Sequence, residues 1–190
     1  MFPAVFLFSI LSSCTAPDPP GVVIETAQGD ITVDVYTREA PLTAFNFLSL
    51  VEEGVYSDAL FYRVVRSDNQ PRNPVRIRVI QGGLYHDSLV ETFPSIDHET
   101  TAMTGIRHTD GVISMARNEP GTASTEFFIC IGDQPELDFG GARNPDGQGF
   151  AAFGKVVSGM EVVRDIQALP DSGQMLIRPV RIHQIRRIRQ

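Results

Sequence analysis

The sequence predicts a mostly β domain, closed as a barrel and carrying two helices. Three observations point there. Short apolar or alternating segments recur along the chain, each bounded by Gly, Pro, Asn or Asp. Only two segments carry a helical period. The 190 residues suffice for one domain with a substantial core, and no repeat of solenoid or propeller length is present. The count is about eight strands and two helices. Many short strands in one domain favour a barrel or a sandwich, and a closed barrel leaves no exposed sheet edge.

The elements follow in order. "VVIETAQGDITVDVY" alternates apolar and polar residues on both sides of Gln28-Gly29-Asp30, which marks a hairpin. "APLTAFNFLSLVEEG" is the first helix. Pro41 suits its first turn, Phe45, Leu48 and Val51 repeat at three-residue spacing, and Gly54 suits the stop. Strands are expected around Leu60 to Arg66 and Arg76 to Gln81. A long loop is expected from Gly82 to about Asp110. "GVISMA", "FFICI" and "FAAFGKVV" read as strands between turns. "GMEVVRDIQAL" is the second helix, with Val162, Val163, Ile166 and Leu169 on one side. "LIRPVRIHQIRRI" closes the chain as a strand.

Composition excludes some functions. Hydrophobic residues make up 42% and charged residues 21%, as in soluble globular proteins. A net charge of −7 argues against nucleic acid as the main partner. The last ten residues hold four of the sixteen basic side chains, which reads as a solvated strand end. The four histidines lack metal-ligand spacing, and the carboxylates of "DFGGARNPDGQG" lack the EF-hand order, so no metal or cofactor is expected. Ser114 has neither a G-x-S-x-G context nor an S-x-x-K partner, which argues against a serine hydrolase.

The N-terminus suggests export. Phe2 to Leu11 is apolar, of signal-peptide length and too short to span a bilayer. "LSSC" resembles a bacterial lipobox, in which Cys14 would be lipidated. Residues 1–14 are then a signal peptide, 15–21 ("TAPDPPG") a proline-rich spacer and 22–190 the folded domain. The expected location is the cell envelope, lipid-anchored and facing the periplasm. A plain cleaved signal would instead give a soluble periplasmic or secreted protein. With Cys14 lipidated, Cys130 in "FFICI" has no partner for a disulfide and reads as a small buried hydrophobe.

Five segments, taken together, resemble the cyclophilin family of peptidyl-prolyl isomerases. "LFYRVV" with "IQGG" is similar to the family's arginine strand and Gln-Gly-Gly segment. "GVISMAR" is similar to its Leu-Ser-Met-Ala-Asn segment, and "STEFFICIGDQPELD" to its Ser-Gln-Phe-Phe-Ile segment and following loop. "FAAFGKVVSGMEVV" is similar to its Phe-Gly-Lys-Val segment and helix. The resemblance runs in order from about Val22 to Ile188. It implies an eight-stranded antiparallel barrel capped by two helices. The implied activity is rotation about the peptide bond preceding proline. Joined to the export reading of the N-terminus, it makes unfolded or newly exported proline-containing polypeptides the expected partners, and a monomer is the expected state.

That reaction breaks no bond. Its barrier is about 18–20 kcal/mol, because twisting disrupts amide resonance, and uncatalysed rotation takes about tens to hundreds of seconds. Reaching milliseconds requires lowering the barrier by roughly 6–7 kcal/mol. In the twisted state the proline nitrogen becomes pyramidal and gains a lone pair. A hydrogen-bond donor aimed at it stabilises that state above the planar one. Arg63, a charge within the apolar segment Leu60 to Val65, suits the task because it stays protonated and carries several donors in a rigid fork. Gln81, on the adjoining strand, would orient it or hold the substrate carbonyl.

The resemblance also implies a proline pocket. Phe128 matches its aromatic floor, Val79 a wall residue that is usually methionine, Leu137 a rim leucine and Ala116 the alanine after Ser-Met. The chain departs from the pattern at Arg117 (usually Asn), Glu126 (usually Gln), Glu136 (often Trp) and Phe150 (often His). Glu126 could orient Arg63 or favour substrates with a basic residue. The usual phenylalanine of the pocket falls near Ile77 or Arg78. Insertions at Ser67–Val75 and "FGGARNPDGQG" border the site. The altered residues leave one alternative from another class: a cyclophilin-fold chaperone or binding module with little catalysis.

Overall fold

A computed structural model describes residues 19–188; Cys14 and the apolar run before it lie outside the described residues. The strands are β1 (Gly21–Thr26), β2 (Gly29–Val35), β3 (Leu60–Val65), β4 (Val79–Gly83), β5 (Val112–Met115), β6 (Phe127–Cys130), β7 (Ala151–Ser158), β8 (Asp171–Ser172) and β9 (Met175–Arg187). The helices are α1 (Pro41–Glu52), α2 (Asp87–Val90), α3 (Thr101–Thr104) and α4 (Met160–Ala168). Strand order is β1-β2-β7-β5-β6-β4-β3-β9, and β9 pairs back onto β1 to close the barrel. Every pairing is antiparallel, and the two-residue β8 only extends the β9 hairpin. The expected eight-stranded antiparallel barrel is therefore the observed fold.

The differences are local. The first hairpin turns at Ala27-Gln28, one residue early, because Thr26 pairs with Gly29. The strand before Gln-Gly-Gly starts at Val79 rather than Arg76. The long loop 84–110 contains α2 and α3, single turns too short to show a period. In α1 the buried stripe is Ala44, Phe47, Leu48 and Val51, and Phe45 is exposed. Residues 44, 47, 48 and 51 complete an i, i+3, i+4, i+7 face, which outranks the three-residue run through Phe45.

α1 closes one end of the barrel. Phe47 packs against Tyr56, Phe127 and Phe153 at ring separations of 5.4, 5.8 and 4.9 Å. No side chain of its own caps this helix; Glu99, from the long loop, accepts from the Leu42 and Thr43 amides and the Thr43 hydroxyl. A carboxylate at a helix N-terminus satisfies orphan amides and complements the dipole. This contact docks the 84–110 loop beside the barrel.

Inward residues fill one large core, and a second, smaller apolar cluster lies on the outer face. That cluster holds Val65, Ile77, Val79, Phe128, Cys130 and Leu137, with Ala116 and Phe150 packed on it. Alternation along each strand produces the division. On β4, Ile80 points in while Val79 and Gln81 point out; on β6, Ile129 points in while Phe128 and Cys130 point out. Cys130 is fully buried there, and burial raises its thiol pKa. The basic C-terminal strand is largely ion-paired: Arg181 with Asp58, Arg186 with Glu25 and Arg187 with Glu52.

Candidate active site

The outer cluster floors a cleft of about 350 Å³. Phe128, Val79, Leu137, Ala116 and Phe150 line it, as do Arg63, Gln81, Glu126 and Arg117. The structure thus gathers in one place every candidate named from the sequence apart from Cys14. Of the two positions considered for the missing phenylalanine, Ile77 enters the cleft wall, while the Arg78 amide bonds Gln134. Glu136 instead accepts from the Ala142 amide within the second insertion.

A β-bulge aims the polar wall. In the β3–β4 register Phe61 faces Gly82 and Arg63 faces Gln81, so Tyr62 is the extra residue. Phe61 and Val64 both point into the core. Tyr62 and Arg63, between them, both turn to the cleft. A regular strand would have sent one of them inward; bulges re-aim side chains in this way.

Arg63 is held by two glutamines. Its Nη1 donates to Gln81 Oε1 at 2.9 Å, and Nε and Nη2 donate to Gln174 Oε1 at 3.1 and 2.6 Å. Burial lowers its pKa, but both anchors are neutral, so the positive charge is not cancelled. Because the guanidinium only donates, Gln81 must turn its oxygen toward it and its Nε2 toward Tyr62 Oη, 2.7 Å away. The Tyr62 hydroxyl then donates to Glu126. Burial, then the Glu126 charge, push the Tyr62 phenol far above its usual range, so it stays protonated. Glu126 therefore reaches Arg63 only through Tyr62 and Gln81. It also accepts from the Leu84 amide at 2.6 Å and from Thr125, which occupies the carboxylate.

The two glycines after Gln81 have separate reasons. A Cβ on Gly82 would lie 2.8 Å from both Leu60 O and Phe61 Cδ1. A Cβ on Gly83 would lie 2.2 Å from Glu126 Oε1, and its φ of +146° disfavours any side chain. Gly83 is the space into which the Glu126 carboxylate fits.

Burial raises the Glu126 pKa above its ordinary 4.5, against the opposing hydrogen bonds from Tyr62, Leu84 and Tyr85. Folding therefore favours the protonated acid. Its stabilising contribution is complete below about 4.5 and is lost as pH rises through the folded value. In urea melts across pH, wild type should lose stability relative to Glu126→Gln as pH rises from 4.5 toward neutrality. A wild type whose stability relative to Glu126→Gln stayed level or rose over that range would contradict this.

Arg117 serves the second insertion. Its side chain is 1% exposed and forms a two-point pair with Asp146 at 2.8 and 2.9 Å. It also donates to Gly149 O at 2.9 and 2.6 Å and lies 5.1 Å from the Phe150 ring centre. It thereby fastens Phe150, which meets Phe128 edge-on at 5.3 Å. Behind the floor, His108 stacks on Phe128 at 6.0 Å. Its Nδ1 lies 2.8 Å from Asp138 Oδ1 and its Nε2 3.0 Å from Ser114 Oγ. Burial opposes ionisation of Asp138, but the His108 hydrogen bonds win and hold its pKa below the ordinary value. The Ser-His-Asp order invites comparison with a hydrolase, yet Ser114 is 0% exposed, so this trio braces the pocket.

Sequence reasoning missed Gln174, His108, Asp138 and Tyr62. Gln174 lies 111 residues from Arg63, on the β8–β9 turn, and no local pattern marks it. Among the described residues no group of three or more His, Cys, Asp or Glu could hold a metal ion.

A family model described as cyclophilin type peptidyl-prolyl cis-trans isomerase/CLD matches residues 21–187. A peptidyl-prolyl cis-trans isomerase of Acinetobacter baylyi is 32% identical over 170 residues, covering 89% of this chain and 83% of that protein. Peptidyl-prolyl cis-trans isomerase B of Escherichia coli is 32% identical over 149 residues, covering 78% and 84%. The crystal structure of a Cryptosporidium parvum cyclophilin type peptidyl-prolyl cis-trans isomerase superposes with a TM-score of 0.71 at 22% identity, covering 90% of this chain and 98% of that one. At that identity the superposition speaks for the fold.

Proposed function

This chain belongs to the cyclophilin-type peptidyl-prolyl cis-trans isomerases, and from that premise we propose which residues carry the reaction and where it takes place. The chain is an isomerase of X-Pro peptide bonds. One observation carries the assignment of roles: a guanidinium fixed by two neutral carbonyls at the wall of an apolar cleft floored by Phe128. The proline ring sits on Phe128 between Val79, Leu137, Ala116 and Phe150. Arg63 donates to the nitrogen as the C–N bond twists. In water that hydrogen bond would gain little over solvent; beside an apolar floor it is worth more. No proton is transferred and no covalent intermediate forms. Gln81 and Gln174 are positioning residues, which fix the fork before substrate arrives, so little ordering remains for the twisted state. The alternative of a binding-only module drew on Glu126, Glu136 and the altered pocket wall; Glu126 is engaged by Tyr62, Leu84 and Thr125 and Glu136 by the Ala142 amide, so Arg63 keeps its charge for substrate.

The proposed setting is the cell envelope, with clients that are newly exported or unfolded chains. It is supported by the apolar run Phe2 to Leu11, the lipobox-like "LSSC" and the proline-rich spacer. Fractionation tests it together with the activity. Cys14→Ser should move isomerase activity toward a proline peptide from the membrane to the soluble fraction. Activity that stayed with the membrane would contradict the tether, and activity in neither fraction would contradict the isomerase.

A further inference from the structure

Three arginines line the cleft, and their charges are treated differently. Arg117 is matched by Asp146. Arg63 is held only by glutamine carbonyls. Arg143, on the second insertion, donates through Nη1 to Gln70 Oε1 at 3.0 Å and to Val75 O at 2.7 Å, both in the first insertion. Its Nε and Nη2 have no acceptor among the described residues. Nor does either Arg63 or Arg143 have a carboxylate within ion-pair distance there. Two half-buried cations therefore share one cleft on neutral anchors. They are close enough to feel each other: burial first, then the Arg63 charge, lower the Arg143 pKa.

The cleft is polarised along β4. Beyond the Val79 end lie Ile77 and the first insertion, to which Arg143 is tied. Beyond the Gly83 end lie Glu126 and Asp87. Holding the two insertions together needs donors, not a net charge. Placing a guanidinium there with three N–H donors unspent leaves a seat for an anion, and a carboxylate matches that fork in two-point geometry.

We propose that Arg143 is a specificity-determining residue, which draws a carboxylate side chain flanking the substrate proline into the cleft. The isomerase then prefers prolyl bonds beside aspartate or glutamate. This rests on the isomerase reading and adds a substrate class to it. Opposite charges that are partly desolvated and hydrogen-bonded should discriminate by about fivefold in kcat/KM. Like charges should discriminate in the reverse sense.

The test uses peptides carrying Glu, Gln or Lys immediately before or immediately after one proline. For wild type, at one of the two positions, the Glu peptide should exceed Gln by about fivefold and Lys should fall below Gln. The preference should fade from about 0.01 M to about 1 M salt, as the screening length falls from about 30 Å to about 3 Å. Arg143→Gln should bring the Glu-to-Gln ratio close to one, and Arg143→Lys should retain part of it. Equal kcat/KM for Glu and Gln at both positions in wild type would overturn the inference alone, whatever the variants do. A preference that survives Arg143→Gln would also overturn it. No turnover of any peptide would overturn the isomerase reading, and this inference with it.

Discussion

Arg63→Ala should lower kcat/KM for cis–trans exchange of a proline peptide by about 10²- to 10³-fold, the loss seen when one preorganised transition-state donor is removed. The fold should survive, because Arg63 sits at the cleft wall and outside the main core. Arg63→Lys should recover little. An ammonium is a single point donor on a flexible stem, whereas Arg63 uses three of its nitrogens at once: Nη1 on Gln81, and Nε with Nη2 on Gln174. A lysine that restored full activity would show that charge alone suffices. Peptide exchange followed by NMR, with urea melts of each variant, separates lost chemistry from lost structure.

Gln174→Ala should lower kcat by about 10- to 100-fold through loss of alignment, with a smaller change in KM. Gln174 acts through Arg63, whose Nε and Nη2 it holds, and not on the reacting bond. Its own support is extensive. Its amide donates to Asp171 Oδ2 at 2.9 Å and its Nε2 to Asn69 O at 3.2 Å. Asp171 in turn pairs with Arg66 and accepts from Asn69. Gln174 also adopts a φ of +77°, which favours glycine. That provides a control. Gln174→Gly should be more stable than Gln174→Ala, yet equally slow. Activity that tracked stability across the two variants would mean that Gln174 is merely structural.

Much of this was legible in the sequence because it depends on local pattern. Turn residues around short apolar runs delimit the strands. The family resemblance carried by LFYRVV and IQGG, rather than local pattern, singles out Arg63 and Gln81. What could not be read depends on partners distant in sequence. The bulge at Tyr62 exists only in register with β4, so LFYRVV alone does not reveal that Tyr62 and Arg63 share a face. Gln174 gains meaning only when the β8–β9 turn meets β3. Gly83 reads as a turn or bulge glycine until Glu126, 43 positions on, is seen to occupy its missing Cβ. Phe45 was the reverse case: a hydrophobe in a plausible spacing, displaced because a fuller stripe ran beside it.

If Arg63 donates to the prolyl nitrogen in the twisted state, lowering that nitrogen's basicity should weaken catalysis. Both 4-fluoroproline diastereomers withdraw electron density from the nitrogen equally but favour opposite ring puckers. The measurement is the ratio of catalysed to uncatalysed exchange for each, relative to proline, in wild type and Arg63→Ala. A weaker lone pair accepts a weaker hydrogen bond, so the ratio should fall for both diastereomers in wild type and stay level in Arg63→Ala. A ratio unchanged in wild type, or one moving in opposite directions with pucker, would place the catalytic advantage in pocket fit and contradict the donor.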